Sequence, residues 1–518
     1  MRVEYLEEPL IEFSNDFLCD DPKKGLTISG FFSLSHQNHK SEIQYAIIGR
    51  KIDIESVVDW VGKIKYPIEA TKEVLINNEV EIIDGEVENL TIEDDEYLTT
   101  NDLQLDDQVT YRYNKQLNPD FPGFNKDSIF RCELLNDKSN NISVKGQELK
   151  KILKSNKTKV EKVELIIDLY VNAYLRLEEF YDVRPDVCLL VIPTDVFNKL
   201  SSISYGKQWI NLRRKLKAEI IARSKNLFPV QLLLESTVTG KTKGKQDFSM
   251  IAWNFCVAQY YKTGGCIPWA LTQIDKESIF VGVSFHKVLN AENNLMRSSV
   301  AQAFNREGKG IVITGRQFEW NTKKTRVAAP HLTYLYAKEL IQKVINTYKE
   351  LNGYTPKRIV VHKTTTFWDD FINKEFAEAN GFIDGAKELL GDDAEVDLVS
   401  IRSTKIKLLR SNGIYPVLRG SLLKIDDYSG ILYTTGYIPY YRTYPGVHVP
   451  MGVKVDVIGE STLRQVCEEI LALSKLNFNN CNYYSSLPIT LTFSQKVGEV
   501  IQYLPEEKEP PNRYYYYM

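Results

Sequence analysis

No run of about 18 apolar residues occurs in this 518-residue chain, which excludes a membrane-spanning helix. The opening, MRVEYLEEPLIEF, lacks the apolar core of a secretory leader. The seven cysteines (Cys19, Cys132, Cys188, Cys256, Cys266, Cys467 and Cys481) are scattered, odd in number and free of any Cys-x-x-Cys pair. That pattern excludes a disulfide framework and a structural zinc, and it fits a reducing cytoplasm. His36 and His39 have no cysteine or second histidine pair beside them, so SHQNHK reads as a polar loop. Basic residues are missing from one long stretch: residues 73–111 hold no Lys or Arg but 13 Asp and Glu. The net charge of −3 hides this asymmetry. With those 13 set aside, 65 basic side chains face 55 acidic ones, a basic body suited to phosphate backbones.

The length allows roughly two to four domains. VEYLEEPLIEF reads as a short strand, and DDPKKGLTISG as a polar turn. Alternation predicts a strand over about 43–49, and helical spacing a helix over about 53–64. The acidic segment 73–111 reads as an insertion, a hairpin or solvated excursion. A helix at about 160–180, an apolar strand at 187–193, a second helix and a strand at about 228–234 form an α/β alternation and imply a parallel sheet. From about 277 further strands and helices follow, including a long amphipathic helix at roughly 331–351 and a buried strand in RIVVHKTTTF. A helix start is predicted at WDDF, with Asp369 and Asp370 as its capping residues.

Polar residues concentrate between Arg213 and Trp269. Arg213 and Lys217 are four apart and leave one helix face, where like charges repel by a few tenths of a kcal/mol unless an anion lies between them. Gln231 follows, then Lys262 just before Gly264–Gly265. Such a pair, an amide and a Lys-x-Gly-Gly turn resemble the MID-domain pocket of Argonaute proteins, which grips the 5′ phosphate of a guide strand. The resemblance implies that Arg213, Lys217, Gln231 and Lys262 hold that phosphate and that Asn254 touches the first guide nucleotide. About three extra residues separate Lys217 from Gln231, so Arg214 or Lys225 takes a role if the register differs. The opening, from Glu-Glu-Pro through Asp-Pro-x-x-Gly-Leu, resembles the arm of short prokaryotic Argonautes. The later strand order, LSKLNFNN and Leu487–Thr490 resemble the PIWI domain. The implied fold is α/β, with a β-containing N-terminal arm (1–150, acidic insertion at 73–111), a Rossmann-like MID domain (151–275) and an RNase H-like PIWI domain (276–518).

Slicing Argonautes hold two metals with a carboxylate tetrad, since hard cations need clustered oxygen charge. The resemblance places Ser284, Thr364 and Gln495 at ligand positions, which implies a protein that does not slice. It also implies that the Met518 carboxylate helps hold Mg²⁺ beside the guide phosphate. Arg419, Lys475 and Asn479 would lie along the guide and target channel. Related short Argonautes bind guide RNA, recognise single-stranded DNA and act with an APAZ-containing effector. The best match is to the TIR-APAZ type (SPARTA), a heterodimer that assembles further and hydrolyses NAD(P)⁺ in prokaryotic defence. The rivals are Sir2-APAZ or nuclease-APAZ pairings, an autonomous nuclease using Asp369, Asp370 or Glu307, and a general single-strand binder.

Overall fold

All six residues of VCLLVI (Val187–Ile192) are buried, as a strand covered on both faces requires. In the computed structural model this strand lies inside a five-stranded sheet. The structure describes residues 2–36, 38–71, 114–205, 208–240, 247–275, 277–287, 295–320, 325, 327–410, 416–444, 449–505 and 507–518. The acidic segment 73–111 lies outside the described residues.

The order in this sheet is Val230–Leu234, Val187–Ile192, Glu42–Gly49, Glu133–Asn136, with Ile142–Ser143 also pairing Glu42–Gly49. Every pairing is parallel. The Lys159–Glu179 helix buries its apolar residues in one core with this sheet, joined there by Leu212, Leu216 and Ile220 of the Leu212–Arg223 helix. Thr158 and Glu161 cap the first of them reciprocally. The Lys51–Ile64 and Phe248–Lys262 helices contribute to the other core.

This topology corrects the boundary at residue 150. Three of the sheet's five strands, Glu42–Gly49, Glu133–Asn136 and Ile142–Ser143, come from the segment expected as an arm, because a parallel pair needs a crossover and Lys51–Ile64 follows Glu42–Gly49 at once. The polar turn expected at DDPKKGLTISG is also corrected, to a helix, Pro22–Ser29. Asp21 accepts from the Lys23 and Lys24 amides, and Pro22 sits where a missing N–H costs nothing.

The second sheet has ten strands. At its centre Ser278–Lys287, Arg358–Lys363 and Glu395–Ser403 run parallel. Antiparallel strands flank them: Leu295–Phe304 and Gly310–Thr314 on one side, Val453–Ile458, Ser429–Leu432 and Ser421–Lys424 on the other. Arg2–Tyr5 forms the edge beyond Ser421–Lys424, while Ile11–Glu12 pairs with Ala270–Leu271, so the N-terminal arm joins distant parts of the chain. The Tyr334–Asn352 and Glu378–Leu390 helices share one core with the central strands, and Leu463–Leu473 and Ile489–Ile501 another. The mixed α/β reading therefore holds. The helix predicted at WDDF does not form; Asp369 Oδ1 instead accepts from the Ile372 amide at 2.9 Å in a turn, and the helix starts at Glu378.

The Ile489–Ile501 helix approaches the central strand at Gly282. A Cβ there would lie 2.0 Å from the Thr490 carbonyl oxygen. Gly282→Val is expected to lower stability by ~1–3 kcal/mol through overpacking, read as a lower urea midpoint. No helix among the described residues is long and apolar enough to cross a membrane. All seven cysteines are buried and free.

Candidate nucleic-acid site

The Leu212–Arg223 helix starts at Asn211, whose carboxamide accepts from the Arg213 and Arg214 amides at 3.1 and 3.2 Å. The cap fixes the register. Arg214 pairs with Glu499 at 2.6 Å, whereas the Arg213 guanidinium lies over the Phe197 ring at 5.0 Å. One turn later Lys217 reaches the end of the chain, donating to the main-chain oxygens of Tyr517, at 3.2 Å, and Met518. Lys262, from another helix, donates to the same Met518 oxygen at 3.1 Å. It also donates to Gln231 Oε1 and to the Val230 oxygen. The structure thus brings Lys217, Gln231, Lys262 and Met518 together, with Arg213 one turn away. Arg214 does not take a role there.

Lys262 is buried at 1 % exposure, which a charged ammonium tolerates only when its protons are accepted. The acceptors depend on a docked tail. The Val312 amide donates to the Asn512 oxygen at 2.8 Å, and Tyr514 packs on Phe493 at 4.3 Å between ring centroids. Tyr514, Tyr517 and Met518 are all buried. Two ammonium groups gathered at one chain end concentrate positive charge, which favours an anion beside them.

The other expected contacts are placed differently. Asn254 sits eight residues before Lys262, about 12 Å along the helix, and its Oδ1 accepts from the Cys481 amide at 2.9 Å. Arg419 and Lys475, expected along an open channel, are corrected to a buried network. Glu8 accepts from Arg419 Nε at 3.0 Å and pairs with Lys475 at 2.7 Å. Their side chains are 1 % and 0 % exposed, so neither faces a strand. Arg419 also donates to the Leu471 oxygen and Ser474 Oγ, and Lys475 to the Asp20 oxygen. Sequence spacing missed this network because Glu8 lies more than 400 positions from both partners. Asn479 is half-buried beside Asn477, which caps its amide at 3.1 Å.

Of the three expected ligand positions, Ser284 and Thr364 follow neighbouring strand residues of the second sheet, and Gln495 lies on the Ile489–Ile501 helix. Val283 pairs with Lys363 in parallel register, so Ser284 and Thr364 follow side by side. The Ile489–Ile501 helix runs past the same strand, close to Gly282 at Thr490 and to His286 at Gly498, so the face that meets the strand carries Thr490, the buried Ser494 and Gly498, and Gln495 lies on the adjoining face. Below them Glu378 is enclosed by Lys363 and His331, the latter at 2.6 Å, and Trp368 stacks on His331 at 3.8 Å. Glu378 and Lys363 are thereby consumed by each other. Burial, with Arg358 nearby, pushes the His362 imidazole down to about 3, so it stays neutral and bonds Thr490 Oγ1 at 2.8 Å. Glu307 pairs with Lys309 at 2.6 Å. Neutral Ser284, Thr364 and Gln495 do not fit a two-metal centre. Among the described residues no three His, Cys, Asp or Glu are grouped to hold a metal.

No family model and no curated protein matches the sequence. Solved structures do match. Clostridium butyricum Argonaute, solved with guide and target DNA, aligns over 98% of this chain at a TM-score of 0.60 and 16% identity. Marinitoga piezophila Argonaute, solved with guide RNA, aligns over 100% at 0.54 and 11% identity. A. aeolicus Argonaute aligns over 99% at 0.54 and 16% identity. The chain spans 53%, 59% and 55% of their respective lengths. With both sheets matched and the lysines meeting between the first sheet and the tail, the fold of this chain is the MID-PIWI fold of Argonaute proteins.

Proposed function

We propose that this chain is the guide-binding subunit of a prokaryotic defence system acting in the cytoplasm. It holds the 5′ phosphate of a guide RNA between Lys217 and Lys262, and the guide pairs with complementary single-stranded DNA. The convergence of Lys217 and Lys262 on Met518, with Gln231 bound to Lys262, from four separate parts of the chain, carries this reading. Arg213 adds positive charge one turn away. The Met518 carboxylate would hold Mg²⁺ with the guide phosphate, which supplies charge balance where carboxylate and phosphate meet. Base pairing selects the target, and the protein holds backbone and end. The guide and target strands in the solved neighbours support nucleic acid as the ligand.

The chain leaves its target intact and passes the signal to an APAZ-containing effector, a TIR NAD(P)ase in the reading we favour. Neutral side chains at 284, 364 and 495 support the absence of slicing, because uncharged groups cannot balance two divalent ions. Guide-loaded protein, incubated alone with Mg²⁺ or Mn²⁺ and labelled complementary DNA, is expected to bind the target and leave it uncut. Cleavage products would overturn this reading in favour of an autonomous nuclease.

A further inference from the structure

Gln259 carries no signal in the sequence, yet it adjoins the lysine pocket and is 0 % exposed. It sits one turn before Lys262 on the Phe248–Lys262 helix, so both side chains leave one face. Its Nε2 donates at 3.5 Å to Gln231 Oε1, the oxygen that also accepts from Lys262. Its own Oε1 has no partner among the described residues. A buried carbonyl oxygen without a donor bears its full desolvation penalty, so its retention beside a charged pocket calls for a second arrangement in which it is used.

The donors around it are committed. Lys262 has three N–H groups, and Val230, Gln231 and Met518 supply three acceptors. Gln231 turns its oxygen to the lysine and its Nε2 to the Leu232 oxygen at 3.2 Å. In this orientation Gln231 cannot donate to an anion beside Lys262. A half-turn of its carboxamide reverses that and brings two N–H bonds to the pocket side. One meets the anion; the other meets Gln259, whose carboxamide must turn as well to present its oxygen.

We propose that Gln259 is a positioning residue for the 5′-phosphate site and forms with Gln231 a two-state carboxamide relay. In the resting state Gln231 accepts from Lys262 and Gln259. In the guide-bound state Gln231 donates to the phosphate and to Gln259 Oε1. This inference rests on the guide-phosphate reading of the pocket.

The test uses the full chain as wild type, Gln259→Met, Gln231→Met and the double variant. Each is titrated with one RNA bearing a 5′ phosphate or a 5′ hydroxyl, and its thermal melt is recorded. Gln259→Met is expected to reduce the phosphate preference about tenfold, the share of one hydrogen bond to a charged group, while hydroxyl-RNA binding stays unchanged. Because Gln259 acts through Gln231, the double variant should bind no more weakly than Gln231→Met. An unchanged preference in Gln259→Met, or additive losses in the double variant, would overturn the relay. A wild type without phosphate preference would instead overturn the pocket reading. Should Gln259→Met fail to fold, glutamine side-chain ¹⁵N signals of the wild type decide. The relay requires both Gln231 and Gln259 to shift with phosphate RNA and neither with hydroxyl RNA; a shift of Gln231 alone refutes it.

Discussion

Glu8→Ala is expected to destabilise the protein by about 3–5 kcal/mol, the cost of removing one partner from a buried charge network. Glu8 is 18 % exposed and is the shared counter-ion of Arg419 and Lys475. Without it, two cations are left inside the protein. Arg419 keeps its bonds to Leu471 and Ser474, and Lys475 its bond to Asp20, so hydrogen bonding is largely conserved while charge balance is lost. The damage should spread, because Glu8 lies between the edge strand Arg2–Tyr5 and the Ile11–Glu12 pairing. Glu8→Gln, which keeps an acceptor, should lose less.

The same network fixes a pH dependence. Burial raises the Glu8 carboxyl, but Arg419 and Lys475 outweigh burial and hold it below the ordinary value of 4.5. A depressed carboxylate stabilises the fold above its ordinary value and stops doing so as pH falls through the folded one. Wild type should therefore lose stability below about pH 4.5, and Glu8→Ala should show a shallower acid slope. Urea midpoints measured at neutral and acid pH check both expectations. A Glu8→Ala protein as stable as wild type would mean that the arm does not clamp the second sheet.

The sequence conveys elements whose cause is local. Val187–Ile192 reads as a buried strand because each residue is apolar, and Lys159–Glu179 as a helix because its spacing and Thr158 cap are present in the chain itself. The meeting of Lys217, Gln231 and Lys262 is legible only through the resemblance to a known pocket, since the three sit on separate elements, two helices and a strand. What sequence hides is long-range. Glu42–Gly49 joins a sheet whose other strands lie up to 190 positions later, so the boundary at 150 divides what pairing unites. Arg419 and Lys475 look like surface cations until Glu8 is brought to them. WDDF carries the composition of a helix start, yet Asp369 closes a turn beside a Trp368 that stacks on the distant His331, a contact that the local sequence does not announce. Gln259 on a helix with apolar neighbours gives no warning that its partner is a strand residue.

The central claim is that the two lysines hold a guide phosphate. Lys217→Ala/Lys262→Ala removes two charge-assisted donors, each worth about 1.5–3 kcal/mol. Affinity for 5′-phosphate RNA should then fall by at least about a hundredfold, and affinity for 5′-hydroxyl RNA should change little. Both titrations belong at one salt concentration, since backbone binding is itself salt-dependent, with a melt to show that the variant is folded. A wild type that strongly prefers the phosphate, and a folded double variant that does not, is the outcome the pocket predicts. Equal binding of both RNAs by the wild type would contradict it, leaving the lysines as counter-ions of the tail alone.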